Sequence, residues 1–333
     1  MNTRDGELAG LQRARRALPL EPGVAAVALV VVAAAVLRPL LQDLLGRPAL
    51  AHWATVFVAI AVQALPFLVL GVVVSAAVAA LVPAGLLPRL LPARPGLAVP
   101  VAAAAGVALP GCECGSVPIA GRLVARGAPP PAALAFLLSA PAVNPVVLTA
   151  TAVAFPGRPQ VVLARLLASL LAATVVGLVW ARTGRDELLA RVHRRRDPDG
   201  PPLARLAATA QHDLLNAGGF LIVGAATAAT LQTAVPRGVL DAVAGTGPAA
   251  HLALAGLAVA MALCSEADAF VAASLTQFSL GARLAFLVVG PMVDVKLVAL
   301  QAGTFGRRFA LRFAPLTLAA ALASSALVAR WLL

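Results

Sequence analysis

Two cysteines stand one residue apart in the run Pro110-Gly111-Cys112-Glu113-Cys114-Gly115-Ser116-Val117-Pro118, and a third, Cys264, lies far downstream. Thiolates are soft ligands and select soft centres such as Cu(I), Zn(II) or, by the same argument, trivalent arsenic. Thiols at i and i+2 diverge on a helix but share one side of extended backbone. Proline and glycine around the pair disfavour a regular helix through it. The helix-breaking residues Pro110, Gly111, Gly115 and Pro118 therefore predict an unwound segment on which Cys112 and Cys114 converge. With Cys264 they make the candidate metal- or metalloid-binding set. Taken alone, Cys264 also reads as a small apolar packing residue. The paired motif asks for more, because packing needs neither Glu113 nor the Pro/Gly frame.

Ionisable residues inside apolar stretches form a second signal: Glu113, Glu266, Asp268, Asp294 and Lys296. Each costs roughly 2.5–3.5 kcal/mol at the centre of a membrane helix, so each needs a partner or a wet cavity. One reading is a proton- or cation-coupling path, in which carboxylates take up the protons that thiols release on binding a soft ligand. The other is structural, a neutralised pair such as Asp294 with Lys296 holding helices together. Asp294, three residues after Pro291, matches Asn144 in Pro141-Ala142-Val143-Asn144-Pro145. Asn144 joins the candidate substrate-binding residues, and Pro141, Pro145 and Pro291 mark further breaks.

The elements that must position these groups are helices in a bilayer. Of 333 residues 61% are apolar and only 12% charged, against roughly 25% charged in a soluble domain. Apolar runs near 20 residues recur throughout, each enough to cross a hydrocarbon core of about 30 Å. This excludes a soluble globular chain, a disordered chain and a disulfide scaffold. It also excludes an outer-membrane barrel, whose strands alternate apolar and polar residues. The net charge is +12 and every basic residue but Lys296 is Arg. The arginines sit mainly between apolar runs, where topology and lipid contacts are set. No basic stripe interleaves with aromatics, so nucleic acid is not an expected partner.

The predicted fold is all-α: a polytopic helical membrane protein with two inverted pseudo-repeats, each containing a broken or re-entrant segment. Shifting 114–180 by 150 residues lays it on 264–330 without a gap, matching Cys114 with Cys264, Phe136 with Phe286, Pro141 with Pro291, Phe155 with Phe305 and Arg158 with Arg308. Such internal symmetry is a mark of transporter folds. The expected domains are a cytoplasmic N-terminus with an extra transmembrane helix (1–50), a first repeat with the C-x-C motif (51–182), a basic cytoplasmic linker (183–205) and a second repeat (206–333). Arginines before the first apolar run and in 182–205 place both in the cytoplasm. Five apolar segments between them then require one that does not cross, and 97–126 is the candidate, with 249–278 its counterpart. On this topology Arg89, Arg94, Arg122 and Arg126 fall in cytoplasmic loops. Trp53, Trp180 and Trp331, at segment ends, are the expected interfacial anchors.

No G-x-x-x-x-G-K-[ST], H-E-x-x-H or G-x-S-x-G occurs, so ATPase, zinc-hydrolase and serine-hydrolase signatures are missing. Neither an enzyme activity nor a cofactor is expected. The run Cys112-x-Cys114-x-x-Val117-Pro118-Ile119, then Gly121, Gly127 and Pro141-x-x-Asn144-Pro145, resembles the predicted-permease family of the ArsP and YraQ type over about residues 50–330. Glu113 stands where ArsP-like members often carry Ser. The resemblance implies an inner-membrane permease, and on its ArsP branch efflux of trivalent organoarsenicals through the thiols at Cys112 and Cys114. The expected function is thus a secondary permease of the cell membrane for a soft thiol-reactive solute, with proton coupling. Its partners would be the lipid bilayer, a small-molecule or metalloid substrate and, in a homo-oligomer, further copies of the chain. The rival readings are a membrane thiol oxidoreductase using the C-x-C pair, and a membrane subunit of a larger transport assembly.

Overall fold

The computed structural model describes residues 48–81, 92, 94–108, 112–183, 186–189, 192, 202–234 and 247–333. The predicted first helix, the linker arginines up to Arg196, Arg89, Pro110 and Gly111 lie outside them. Thr55–Leu333 form one compact unit. Most of its described residues are helical, and none forms a strand. The first half runs α1 (Pro48–Leu81), α2 (Pro95–Ala105, then a 3-10 turn Gly106–Ala108), α3 (Glu113–Ala125), α4 (Pro130–Val143), α5 (Pro145–Ala154) and α6 (Pro159–Thr183). The second half runs α7 (Pro202–Ala234), α8 (Pro248–Met261), α9 (Asp268–Ser274), α10 (Leu280–Val289), α11 (Val295–Thr304) and α12 (Arg307–Leu332).

Five stretches are long and apolar enough to cross a membrane: Leu50–Val78, Pro130–Ala154, Pro159–Thr183, Ala207–Thr233 and Arg307–Leu332. On α1 the outward residues Val58, Val62, Leu65 and Val69 are all apolar, as a lipid-facing stripe requires. The protein is a multi-pass helical membrane protein. α2 and α8, of 11 and 14 residues, are too short to span at 1.5 Å per residue.

The breaks have local causes. α4 stops where Pro145 follows Asn144, since a residue before proline leaves the helical region. Asn144 then caps α5 by accepting the Val147 N–H on Oδ1 at 3.0 Å, while its amide donates to Ala140 O at 3.0 Å. Asp294, 150 residues on, caps α11 by accepting the Leu297 N–H on Oδ1 at 2.5 Å. α8 ends at Ala262, whose φ of 47° is the one positive value among described non-glycine residues. A left-handed alanine costs about 1–2 kcal/mol, so the surroundings must hold it there.

Three expected helix-breakers lie inside helices instead. Gly115 and Pro118 belong to α3 and Pro141 to α4. Pro118 removes the N–H that would close a turn on the Cys114 carbonyl, but the helix continues. Its own carbonyl accepts from Ser75 Oγ at 3.3 Å. Gly115 serves packing: α1 crosses α3 with Gly71 on Gly115, and a Cβ on Gly71 would land on the Gly115 backbone. Small residues let membrane helices approach this closely. Gly224 of α7 sits likewise on the Lys296 backbone of α11.

The core lies between the halves. α6 packs along α12, α3 against α11, and α9 against α5. Trp180 is not an interfacial anchor: it is buried edge-on against Phe309 and Phe313, with ring centroids 5.3 and 5.6 Å away. Trp331, 81% exposed, remains at a helix end. Gly71→Leu should destabilise the detergent-solubilised protein by about 1–3 kcal/mol or more through overpacking. Gly218→Ala, inside α7 with open space around it, should leave the melting temperature unchanged or raise it in the same thermal scan.

Candidate functional site

The first break delivers Cys112 and Glu113 together. Cys112 is the N-cap of α3 with extended backbone (φ −87°, ψ 178°), and Glu113 opens its first turn. The second break, 262–267, carries Cys264, Ser265 and Glu266 before Asp268 opens α9. Opposite both stands α11, whose second residue is Lys296. The Cys112 and Cys264 sulfurs and a Glu113 carboxylate oxygen all lie within 4.8 Å of one another, and all three residues are buried. The three cysteines are free. This is a soft, mixed sulfur–oxygen donor set in a water-poor interior.

Cys114 lies beside Cys112 but does not join this triplet. The helix begins at Glu113, so Cys112 is extended while Cys114 is already in its first turn, and the two thiols stay within hydrogen-bonding reach of each other. A second sulfur neighbour of Cys112, Cys264, comes from the other half of the chain.

Lys296 is 1% exposed. Its Nζ donates to Glu113 Oε1 at 2.5 Å and to Ala262 O at 3.3 Å, and lies 3.8 Å from Asp294 Oδ2. The left-handed turn at Ala262 thus turns a carbonyl toward a buried ammonium. Glu113 Oε2 and Asp294 Oδ2 are buried without a hydrogen-bond partner. The expected Asp294–Lys296 pair is therefore the longer of two contacts, and Glu113 holds the ammonium more closely. Asn144 stands at the head of α5, where its Oδ1 accepts from Val147 N–H and its amide donates to Ala140 O.

A second buried ion pair joins α6 to α9. Arg165, wholly buried, donates to Asp268 Oδ2 at 2.8 Å, Ser265 O at 3.2 Å and Thr151 Oγ1 at 2.8 Å. Beside it, both carboxylate oxygens of Glu266 are buried without a hydrogen-bond partner. A third pair, Arg122 with Asp213 at 3.2 Å, links α3 to α7, and Ser75 donates to the same Asp213 oxygen at 3.1 Å. Arg122, 4% exposed, lies in the last turn of α3 rather than in a loop. Sequence reasoning missed Arg165 and Asp213, although a lone arginine seven residues into an apolar span and a lone acid in another are signals of the same kind as Lys296.

The sequence model described as "Predicted permease" matches residues 49–329. The chain belongs to this permease family. UPF0718 protein YcgR of Bacillus subtilis strain 168 is 36% identical over 281 residues, covering 82% of this chain and 96% of the relative. A Streptococcus mutans protein, named as a candidate subunit of a two-component membrane permease complex, is 30% identical over 266 residues, covering 78% of this chain and 88% of the relative. No solved structure matches. Membership makes the chain a permease-family protein of the membrane.

In this permease Arg165 has no other charge at hydrogen-bonding distance than Asp268 among the described ion pairs. Breaking a buried pair by removing one partner costs about 3–5 kcal/mol, while replacing both by apolar residues is often neutral. Asp268→Asn should therefore lower the thermal stability of the purified permease steeply. Arg165→Met combined with Asp268→Leu should recover most of the loss in the same melt.

Proposed function

We propose that this permease is an inner-membrane secondary transporter that exports a soft, thiol-reactive solute, either a soft metal ion or a trivalent organoarsenical. The single observation that carries the reading is the meeting of two sulfurs and one carboxylate oxygen within 4.8 Å, buried between segments about 150 residues apart. Helix breaks at membrane depth are tolerated where they line a binding cavity, and transporters bind substrate at such breaks. Cys114 is the next donor along the path. Glu266, with both oxygens buried and unpartnered, is the proposed proton carrier, with Asp268 and Asp294 beside it on the same route.

The two halves, 51–182 and 206–333, are proposed to be inverted repeats, with the N-terminus and 183–205 cytoplasmic. Supporting this, the caps Asn144 and Asp294 recur 150 residues apart. The packing is also reciprocal: α3 meets α11, and α9 meets α5. The name of the Streptococcus mutans relative favours a further proposal, a second membrane chain completing the transporter. A stoichiometric partner on co-purification from the native membrane is the expected result.

In everted membrane vesicles given methylarsenite or Cd2+, Cys112→Ser and Cys264→Ser should reduce uptake to background. Cys114→Ser should retain a substantial fraction, and Glu266→Gln should remove the dependence of uptake on a pH gradient. Full uptake by the Cys112→Ser and Cys264→Ser variants would sink the reading.

A further inference from the structure

The only lysine in the chain lies where the proposed cargo would have to bind. We infer that Lys296 is a tethered counter-ion competing with the cargo for Glu113, and that the cargo this site selects is a soft metal cation, whose arrival moves the ammonium from Glu113 to Asp294. The inference deepens the proposed function and rests on Cys112, Glu113 and Cys264 being the cargo site.

Three observations carry it. First, Glu113 is shared: Oε1 accepts from Lys296, while Oε2 is wholly buried without a partner and the carboxylate reaches both sulfurs. A carboxylate so placed is a hard-charge donor beside two soft ones. It suits a cation, whereas a neutral trivalent arsenical is satisfied by two sulfurs. Second, a receiver is already in position. Asp294 Oδ2 stands 3.8 Å from Nζ and has no hydrogen bond of its own. A shift of roughly 1 Å would make the contact a charge-assisted bond. Asp294 is itself fixed by its cap on Leu297, so it is the lysine side chain that moves. Third, nothing dilutes the competition. Site and ammonium are buried together, and two cations on one carboxylate repel strongly where water is scarce.

The exchange balances in atoms and charge. A divalent ion forms bonds to the two sulfurs as their S–H bonds break, and two protons leave. Lys296 stays protonated throughout, merely changing carboxylates. In the empty site the ammonium keeps Glu113 from standing as an uncompensated buried anion. Release is the reverse: two protons return to the sulfurs as the metal–sulfur bonds break, and the lysine moves back to Glu113, which makes it a built-in displacer. Lys296 is a positioning residue: it acts on the cargo through Glu113.

The test uses the full-length protein in detergent, with Cd2+ binding read from the cadmium–thiolate charge-transfer absorbance. Removing the competitor in Lys296→Gln should tighten Cd2+ binding about tenfold or more, since self-occupancy lowers apparent affinity in proportion to the occupied fraction. Asp294→Asn, which removes the receiver, should weaken it. Phenylarsine oxide, a neutral trivalent arsenical, should bind Lys296→Gln and wild type alike. Should Lys296→Gln lose its monodisperse profile, Lys296→Arg decides. Its permanently charged fork grips a carboxylate more firmly, so weaker Cd2+ binding supports the inference and equal or tighter binding overturns it. Unchanged or weaker Cd2+ affinity in well-folded Lys296→Gln, with Cys112→Ser and Cys264→Ser abolishing binding, overturns the counter-ion and leaves the cargo site standing. Unchanged Cd2+ affinity in both cysteine variants overturns the cargo site itself.

Discussion

A charge buried among apolar helices needs an opposite charge within reach, and here that requirement is met between the two halves of the chain. Glu113 of α3 holds Lys296 of α11, Asp268 of α9 holds Arg165 of α6, and Arg122 of α3 holds Asp213 of α7. In each pair one member comes from before residue 183 and the other from after residue 202. Apolar contact alone gives membrane helices little reason to prefer one neighbour over another, because lipid tails are as apolar as leucine. Ion pairs that cannot be satisfied elsewhere supply that preference. The bundle is thus keyed by a few polar contacts inside a large and otherwise permissive apolar surface.

Two of these pairs share a design. In each, the acid sits in the first turn of a short helix that follows a break, Glu113 in α3 and Asp268 in α9. A helix N-terminus favours a carboxylate through its unpaired N–H groups, which offsets part of the burial cost. The breaks place the cysteines as well, Cys112 just before Glu113 and Cys264 just before Asp268. The features that secure the fold and those that gather the sulfurs are therefore adjacent, and the proposed cargo chemistry is inseparable from the device that keeps the halves together.

Much of this was legible in the residues. Apolar run length gave a multi-pass helical protein, and Pro145 after Asn144 gave the break before α5. The rarity of charge in the apolar segments singled out Glu113, Glu266, Asp268, Asp294 and Lys296. What spacing could not supply was the exact start of α3. It begins at Glu113, which leaves Cys112 in extended backbone at its head and Cys114 in its first turn, with Cys112 close to Cys264 as well as to Cys114. Pairing was equally hidden: Lys296 is two residues from Asp294 in sequence yet sits closer to Glu113, 183 positions away. Gly115 and Pro118 read as breakers because their types are ambiguous, a glycine serving close approach as readily as a bend. Trp180 misled for the same kind of reason, since a tryptophan at a helix end serves an aromatic cluster as well as a headgroup layer.

The glycine crossings carry a consequence for how such a molecule can work. Where Gly71 rests on Gly115 and Gly224 on the Lys296 backbone, main chains touch with no side chain between them to act as a bearing. The crossings tie α1 closely to α3 and α7 to α11, while Arg122 with Asp213 and Glu113 with Lys296 join α3 to both helices of the second pair. A side chain at either glycine would force the two main chains apart and, with them, the ends of the polar pairs that α3 and α11 carry.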